Sequence, residues 1–557
     1  MFLRRHVVTR GDKVYVSHRL CRTVRDGGTV RQQIVANLGK LSDAEAERIG
    51  RQLLAIAGKA APPPTPASLQ QGQPYLYGGP LLVDALMRLA NLNALLQPLG
   101  RTRRRLDLPR TLSVALCAQL LAPGSDLSTS RWQEKLLRTR TPYHIPYHHF
   151  LRALDVLADH HSQIEEHLFA QVKHLFNQHV DVLFYDLTSS YFEGDGPPGL
   201  ARRGYSRDGR PDCPQIVLGI AVTTDGFPIA YRVHPGNTVD ATTLQSIADD
   251  FRSRFHIHRC LVVGDSGLLS QENAQALDEL GLGYLMGMRA ATTRSAQQVI
   301  AASGHLEPAG CLGEVSYWDP LLRDNTAYVL LHSPGRHTKT ISILERKLAA
   351  VRPRLGHLER DVRAGKLRSE QAITARATRI LVEAKATPYI QLHIGPAEFS
   401  WCENAEKLQA MRQNAGRYVL QTNQLDLTAQ EAAIAYRQLE VAEDCIRRLK
   451  DTLALRPLYH RCPQRVIGHV GLCVMALFLL RLLEQRLLAA GLCHTAEQAI
   501  AAVQDLIAVP IHVDGRELWP APHVSATARA IFQALDISNV KARFDADLQA
   551  LGLPAPA

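Results

Sequence analysis

The sequence predicts an α/β fold, because short apolar runs typical of buried strands alternate with helical stretches between residues 180 and 290. In one of these runs residues 182–185 lead to Asp186, and in a later one residues 261–263 lead to Asp265. A third observation is an amphipathic helix further along the chain, which begins at the T-x-x-E capping box of Thr428 and Glu431. Strands and helices that alternate in this way favour a sheet covered by helices.

The order of the elements between the two aspartates narrows this prediction. Strand-like runs at residues 215–223 and 229–234 flank an Asp-Gly turn, which predicts an antiparallel hairpin. A helical stretch from about Asp240, the strand before Asp265, a helix from Ser270 and a strand at 284–288 follow. Three antiparallel strands, a helix and further strand and helix units are the order of a ribonuclease-H-like core. In that fold the ends of the first and fourth strands are adjacent, so we expect Asp186 and Asp265 to meet.

A carboxylate at the end of a buried strand has to be stabilised, since an unpaired buried charge is very costly. A partner lysine or arginine, or a turn that exposes the group to water, is the common solution. A divalent metal is the rarer one. The residues around Asp186 and Asp265 leave these alternatives open.

The helix that begins at Thr428 carries Tyr436, Glu443 and Lys450, each seven positions from the next. Seven steps of an α-helix return to within roughly 20° of the starting direction, so a continuous helix would align the three side chains on one face. A helix beyond the fourth strand could bring Glu443 to the two aspartates. The alternative is an ordinary amphipathic helix with a solvated charged face.

The charge balance favours a polyanionic partner. The chain has 64 Lys and Arg residues against 53 Asp and Glu residues, which gives a formal net charge of +11. Basic residues are concentrated in residues 1–40 and in a second cluster of Arg101, Arg103, Arg104, Arg105 and Arg110. For each cluster a solvated basic surface is the alternative to a DNA contact.

The spacing of the acids predicts an inserted domain, because Asp265 and Glu443 are 178 residues apart, too far for a plain ribonuclease-H core. A Pro-rich linker is predicted at residues 61–66. The predicted organisation is a small basic β-rich module (1–60), a helical region (74–175), the core in two parts (176–290 and 426–490), the α+β insertion between them (291–425) and a helical tail (491–557).

Cysteine usage and hydropathy predict a cytoplasmic protein without a membrane span. The ten cysteines lack the spacing of a zinc site, which is typical of reduced thiols. The N-terminal residues contain no apolar signal segment. The longest apolar run, residues 470–480, is too short to cross a bilayer and is interpreted as a buried core helix.

Five stretches of the chain carry a resemblance to a known family. They are YDLTSSYFEG, GYSRDGRPDCPQIVLGIAVTTDGFPIAYRVHPGNT, LVVGDSGLLS, GRYVLQTN and AYRQLEVAEDCIRRLKDTLALRPLYH, which together span roughly residues 180–470. In these stretches the sequence resembles the DDE-domain transposases of bacterial insertion sequences. It is most similar to the branch with a Tyr/Arg/Glu/Lys helix signature and an insertion in the catalytic domain. The N-terminal residues also resemble the small leader domain of one subgroup.

The resemblance implies a site and its ligands. It makes Asp186, Asp265 and Glu443 the catalytic, metal-binding triad for two Mg²⁺ ions, for which Mn²⁺ can substitute, and Tyr436, Arg447 and Lys450 DNA-binding residues. The arginine of the family signature falls on Leu439 here, which is a departure. The implied partners are double-stranded DNA, as terminal inverted repeats and as target, and a second copy of the chain in a homodimer on DNA.

In similar transposases the helical region (here 74–175) binds DNA, so the resemblance implies a bacterial, nucleoid-associated protein. A tryptophan of the insertion stacks on a base in some of them, for which Trp318 and Trp401 are candidates, with a core or surface tryptophan as the alternative.

The chemistry implied is metal-dependent cleavage of DNA at the ends of an insertion sequence, followed by strand transfer into a target. Two divalent ions held by carboxylates can activate the attacking oxygen and stabilise the leaving oxygen of a phosphodiester. Two alternatives stay open at this point. One is a non-catalytic DNA-binding protein derived from such an enzyme, and the other is a nuclease that does not join strands.

Overall fold

The structure is a computed structural model that describes residues 1–10, 13–26, 29–56, 70–100, 106–139, 144–176, 181–257, 260–288, 293–303, 305–513 and 516–554. The chain divides into two compact units. The first unit contains Met1–His179, Leu187–Thr238 and Val441–Ala557, and the second contains Val180–Asp186 and Val239–Glu440. The predicted linker at 61–66, the Gly27-Gly28 turn and four of the five arginines in the 101–110 cluster lie outside the described residues.

The chain begins with a three-stranded antiparallel sheet and a helix. Their bounds are β1 (Phe2–Arg10), β2 (Lys13–Asp26), β3 (Thr29–Gly39) and α1 (Asp43–Ile56). Leu20 and Val35 of the sheet and Leu53 of the helix share one buried cluster with Val509 and Ile511 from the C-terminal part of the first unit. The module therefore shares its core with residues from the far end of the sequence, Val509 and Ile511.

Residues 70–176 are mostly helical, as the sequence predicted. Two short strands precede six helices: β4 (Gln70–Gln71), β5 (Tyr75–Leu76), α2 (Gly78–Leu89), α3 (Leu92–Leu99), α4 (Leu108–Leu121), α5 (Asp126–Trp132), α6 (Tyr147–Asp159) and α7 (His161–Phe176). Asp107 caps α4 by accepting a hydrogen bond from the amide of Arg110, and Ser125 caps α5 in the same way from Ser128.

The next three strands include the predicted hairpin. They are β6 (Val182–Tyr191), β7 (Gln215–Thr223) and β8 (Pro228–Pro235). β7 pairs with β8 antiparallel, and Gly226 turns the chain between them with a φ of +78°. Every residue of β7 is buried, because both faces of this strand are covered.

The chain then continues into the second unit, which also contains the start of β6. After a short 3₁₀ turn at Asp240–Thr242 come α8 (Gln245–Ser253), β9 (Leu261–Gly264), α9 (Gln271–Glu279) and β10 (Gly283–Gly287). β9 is parallel to both β6 and β10, so the predicted adjacency of the first and fourth strands is confirmed.

The remaining elements of the second unit extend this sheet and add a separate helical layer. They are α10 (Arg294–Ser303), β11 (Gly310–Leu312), β12 (Val315–Tyr317), β13 (Leu321–Arg323), β14 (Thr326–His332), α11 (Pro334–Arg363), α12 (Glu370–Glu383), β15 (Ile390–Gly395), β16 (Glu398–Glu403), α13 (Ala405–Asn414), β17 (Arg417–Thr422) and α14 (Ala429–Arg437). The strand order here is β11-β12-β14-β17-β10-β9, followed by the start of β6. β17 pairs antiparallel with β10, so the sheet is mixed.

Both candidate tryptophans of this region are packed. Trp318 is buried in a cluster with Val299 and Leu330, and its indole N–H donates to the carbonyl of Leu306 at 2.9 Å. Trp401 is partly buried against the core formed by α11, α12, β15 and β16. Packing in a core is therefore the interpretation that the structure favours for both.

The predicted single helix through Tyr436, Glu443 and Lys450 is wrong. α14 ends at Arg437, α15 covers Glu440–Arg447, and Arg448–Thr452 form a π-helical turn. At the break the amide of Leu439 bonds to the carbonyl of Tyr436, three residues back, while the Leu439 side chain is buried. In the π turn the amide of Leu453 bonds to the carbonyl of Arg448, five residues back. The seven-residue spacing therefore does not place the three side chains on one continuous α-helical face.

The C-terminal part of the first unit is built on one long buried helix. The elements are α16 (Pro463–Ala489), α17 (Ala496–Gln504), β18 (Ile507–Ala508), β19 (Ile511–Val513), β20 (Arg516–Leu518), α18 (Ala526–Ala534) and α19 (Val540–Ala550). β18 pairs with β5 and β19 with β4. α16 is long and apolar enough to span a membrane, but 89% of its most apolar window is buried in the protein, as expected of a core helix. All ten cysteines are free thiols.

Candidate active site

The register of two parallel strands brings Asp186 and Asp265 to neighbouring positions. Leu183 of β6 lies opposite Val262 of β9, and Phe184 lies opposite Val263. The paired register stops there, and the same offset carried two residues further would align Asp186 with Asp265, the residue after the end of β9. Both acids follow buried apolar residues, which is the pattern from which the sequence predicted the site. The prediction that Asp186 lies near the end of its strand is wrong, because β6 continues through it to Tyr191.

The Asp265 carboxylate is exposed and is oriented by the backbone. Its Oδ1 atom accepts a hydrogen bond from the amide of Gly267 at 2.7 Å. Among the residues that the structure describes, no lysine, arginine or histidine forms an ion pair with it. The Asp265 carboxylate is thus stabilised by a turn that exposes it to water, which is one of the alternatives considered for an acid that follows a buried strand.

A third carboxylate lies close to Asp265. The Oδ2 atom of Asp240 and the Oδ1 atom of Asp265 are each 3.1 Å from the point that a Cβ atom on Gly267 would occupy. The two oxygens are therefore no farther apart than twice that distance. Asp240 sits in the 3₁₀ turn after β8, and sequence reasoning noted it only as the start of a helical stretch.

Tyr436 lies on the same side of this unit and belongs to a group of aromatic and cationic side chains. A Cβ atom on Gly287 would lie 2.6 Å from the Tyr436 hydroxyl oxygen and 3.5 Å from the amide nitrogen of Ser266, the residue after Asp265. The Tyr436 and Tyr418 rings are 5.8 Å apart, and the Arg336 guanidinium lies 4.4 Å from the centre of the Tyr418 ring. Burial raises the pKa of Tyr436 to about 12, with the Asp265 carboxylate adding to the shift and Arg336 opposing it.

Glu443, the third predicted acid, belongs to the first unit, so the meeting of all three acids stays a prediction. It is exposed on α15 and forms no ion pair with a described residue of its own unit. Its neighbour Asp444 is different, since it pairs with Arg448 at 2.9 Å and with Arg481 at 2.7 Å. Arg447, a predicted DNA-binding residue, is largely exposed and also pairs with Asp444.

Lys450 makes a buried ion pair that the sequence did not predict. Its Nζ atom lies 2.7 Å from Oδ1 of Asp208, and only 9% of the lysine side chain and 2% of the aspartate side chain are exposed. Arg456 binds the same oxygen and also pairs with Asp451 at 2.8 Å. Burial lowers the pKa of Lys450, and the Asp208 carboxylate opposes that shift.

The donor set of the second unit suits a hard divalent cation. The residues that the structure describes contain no group of three His, Cys, Asp or Glu side chains placed to hold a metal. Magnesium, however, is usually held by one or two carboxylates together with waters and substrate phosphates. Asp186 and Asp265 offer such a pair, and one of them is open to solvent.

Sequence reasoning missed Asp208, Asp240, Arg336 and Tyr418. Asp208 and Lys450 are 242 residues apart, and no periodic pattern links them. Arg336 belongs to the first turn of α11, which reads as an ordinary exposed helix start. Tyr418 is on β17, where its aromatic side chain fits the strand pattern without any further signal.

Two parts of the chain match known protein families. Residues 181–479 match the family described as "Transposase DDE domain", and residues 3–66 match "IS1634 family transposase, N-terminal domain". No curated protein matches the chain.

Two solved structures are similar at low identity. The cryo-EM structure of the piggyBac transposase synaptic complex with hairpin DNA has 8% identity and a TM-score of 0.38, covering 88% of each chain. The Mos1 transposase paired-end complex with the left transposon end has 14% identity and a TM-score of 0.15, covering 33% of this chain and 60% of that one. At these TM-scores neither likeness bears on the fold or the function.

Proposed function

Since this chain belongs to the family of transposases with a DDE domain, we propose that it cuts DNA at the ends of an insertion sequence and joins the freed 3′ ends to a target. The observation that carries the proposal is the parallel register of β6 and β9, which extended by two residues would align Asp186, within β6, with Asp265, just after β9. Acids at this position are the groups that phosphodiester chemistry on a metal requires.

Asp186, Asp265 and Glu443 are the proposed metal ligands. Mg²⁺ bound there would supply charge to stabilise the developing negative charge on the phosphoryl oxygens. The Gly267 amide keeps the Asp265 carboxylate in one orientation, which reduces the reorganisation needed when a cation binds. The exposure of Asp265 and Glu443 leaves both carboxylates accessible to substrate phosphate.

We propose that the mixed sheet is a ribonuclease-H-like core interrupted by an insertion at residues 291–425. Support comes from β6, β9 and β10, whose parallel order matches that expected of the first, fourth and fifth strands. A separate buried cluster supports the insertion, since Leu348, Leu355 and Ile373 of α11 and α12 pack with Phe399 of β16 and Leu408 of α13.

The proposed partner is double-stranded DNA, bound as terminal inverted repeats and then as target. Tyr436, Arg447 and Lys450 are proposed to serve DNA binding, and we expect two copies of the chain to act on a pair of ends. The excess of basic residues supports a polyanionic partner.

A cleavage assay on the inverted repeats that flank the gene tests the proposal. Purified protein with Mg²⁺ should nick the end DNA and transfer it to a plasmid, and a chelator should abolish both reactions. Asp186→Asn and Glu443→Gln should lose both activities while still binding the end DNA.

Asp319→Asn is the matched control, because this acid is exposed in the second unit, in the segment between β12 and β13. It should cut like the wild type. Wild-type rates in Asp186→Asn or Glu443→Gln would remove these acids from the mechanism. Binding of the ends without cleavage under any metal condition would favour a non-catalytic DNA-binding protein, and nicking without transfer would favour a simple nuclease.

A further inference from the structure

The segment of residues 202–210, here called the basic loop, presents an exposed aromatic side chain. Tyr205 is 81% exposed, which is unusual for a large ring that no neighbour covers. The guanidinium of Arg207 lies 5.7 Å from the centre of the Tyr205 ring. The ring therefore stands in solvent with a cation beside it.

The basic loop is anchored at several backbone positions, so the exposure of Tyr205 is a fixed feature. The side-chain amide of Gln215 donates to the carbonyl of Tyr205 at 2.9 Å, and the amide of Arg207 donates to Oγ of Ser189 at 2.9 Å. At Gly204 a Cβ atom would lie 2.0 Å from the carbonyl oxygen of Gly236, so the backbone there packs directly on the neighbouring strand end.

The strongest anchor is Asp208, three residues after the tyrosine. It is buried between Lys450 and Arg456, and both cations contact its Oδ1 atom. Its Oδ2 atom has no hydrogen-bond partner among the residues that the structure describes. Removing the carboxylate would leave the buried Lys450 ammonium without its counter-charge beside the partly exposed Arg456, so this ion cluster holds the loop in place.

The charge of the basic loop favours a nucleic acid over a protein partner. It contains Arg202, Arg203, Arg207 and Arg210, and its one acid, Asp208, is buried and neutralised. Arg202 and Arg203 are exposed on the same stretch as Tyr205. An aromatic ring set among arginines is the arrangement by which proteins stack unpaired bases while contacting the backbone.

We propose that the basic loop is a DNA-contacting element in which the Tyr205 ring stacks on an unpaired base at the DNA end, and that Lys450 serves it as a positioning residue through Asp208. The inference rests on the proposed function, because it assumes that the chain handles DNA ends. It assigns Lys450 an anchoring role and gives the stacking role to a side chain that the family signature does not include.

Binding of the full-length chain to a duplex of the terminal inverted repeat, measured by fluorescence anisotropy, tests the inference. Tyr205→Ala should weaken binding by about tenfold or more, whereas Tyr205→Phe, which keeps the ring, should stay within about twofold of the wild type. Tyr459→Ala is the control, because Tyr459 is another exposed tyrosine of the first unit. A 2-aminopurine base at the DNA end should be quenched by the wild type and by Tyr205→Phe but not by Tyr205→Ala.

The outcomes separate the two proposals. If the wild type binds and cuts the end DNA but Tyr205→Ala binds and quenches equally well, the stacking role is wrong and the transposase proposal stands. Equal losses in Tyr205→Ala and Tyr205→Phe would also overturn stacking, since the ring would then not be the contact. If the wild type neither binds nor cuts end DNA, both proposals fall.

Discussion

Asp265 in the second unit and Asp208 in the first are the same residue type in opposite surroundings. Asp265 is exposed, oriented by one backbone amide and paired with no described cation. Asp208 is 2% exposed and held between a lysine and an arginine. The first keeps its carboxylate accessible to a ligand from outside, whereas the second uses its charge to hold two segments of the chain together.

The difference shows that a carboxylate's surroundings, more than its place in a motif, decide what it can do. A buried aspartate with two cations has its charge compensated internally, so binding a metal would require breaking that compensation. An exposed aspartate oriented by the backbone has no internal ion pair to break when a cation binds. The comparison predicts that changes at Asp265 alter activity and changes at Asp208 alter stability.

The largest effect expected is the loss of cleavage in Asp265→Asn. The rate of end cleavage should fall on the order of a thousandfold or more, since a neutral amide is a poorer ligand for a hard cation. The free energy of unfolding should change by less than about 0.5 kcal/mol, because the side chain is exposed. Urea denaturation alongside the cleavage assay checks both. A large loss of stability would contradict the contrast drawn between Asp265 and Asp208.

Asp208→Asn should instead lower the free energy of unfolding. Removing the counter-charge of the buried Lys450 costs about 3–5 kcal/mol of unfolding free energy, while Arg456 keeps its pair with Asp451. Asp212→Asn, just after the basic loop, is the control: the Asp212 side chain is 63% exposed and pairs at the surface with Arg210, so its loss should cost less than about 1 kcal/mol. Equal stability of the two variants would contradict a structural role for Asp208.

Gly287→Ala tests how closely Tyr436 packs on the backbone near Asp265. A methyl group there would come 2.6 Å from the Tyr436 hydroxyl oxygen, so the phenol must move away from Ser266. Overpacking of this kind costs about 1–3 kcal/mol. Gly356→Ala in α11 is the control, since nothing lies near its added carbon and a helical alanine should stabilise by about 0.5–1 kcal/mol. Denaturant unfolding and tyrosine absorbance would register both changes.

A pH dependence is expected from a buried histidine of the first unit. Burial lowers the pKa of His469 in α16 to about 3, from an ordinary value near 6.5. Between these pH values the unfolded chain binds a proton that the folded chain does not, so stability falls as the pH is lowered through that range. The slope from this one group is about 1.4 kcal/mol per pH unit. Urea denaturation from pH 7 to 4 should show it, and His469→Gln should flatten it.

The sequence predicted the core strands well because their signals are local. An apolar run closed by a turn is enough to define β7, and its predicted bounds of 215–223 match the structure. The apolar runs before Asp186 and Asp265 were predicted in the same way, and they pair as parallel strands, although β6 continues beyond Asp186 to Tyr191.

Features that depend on distant contacts could not be predicted. The break at Leu439 follows from the burial of that side chain, and the segment around it has good helical periodicity. The Asp208–Lys450 pair joins a glycine-rich loop to a π turn, and neither segment alone specifies the other. Asp240 approaches Asp265 only because the chain returns to the sheet after β8.

The strand β6 begins in the second unit and ends in the first. A gene fragment limited to residues 239–440 would therefore lack the strand that pairs with one side of β9. The unmatched amides and carbonyls of β9 would form an open sheet edge, which invites aggregation during expression. Anyone wishing to isolate this half of the protein must supply residues 180–186 with it, for example by fusing that peptide ahead of residue 239 through a flexible tether.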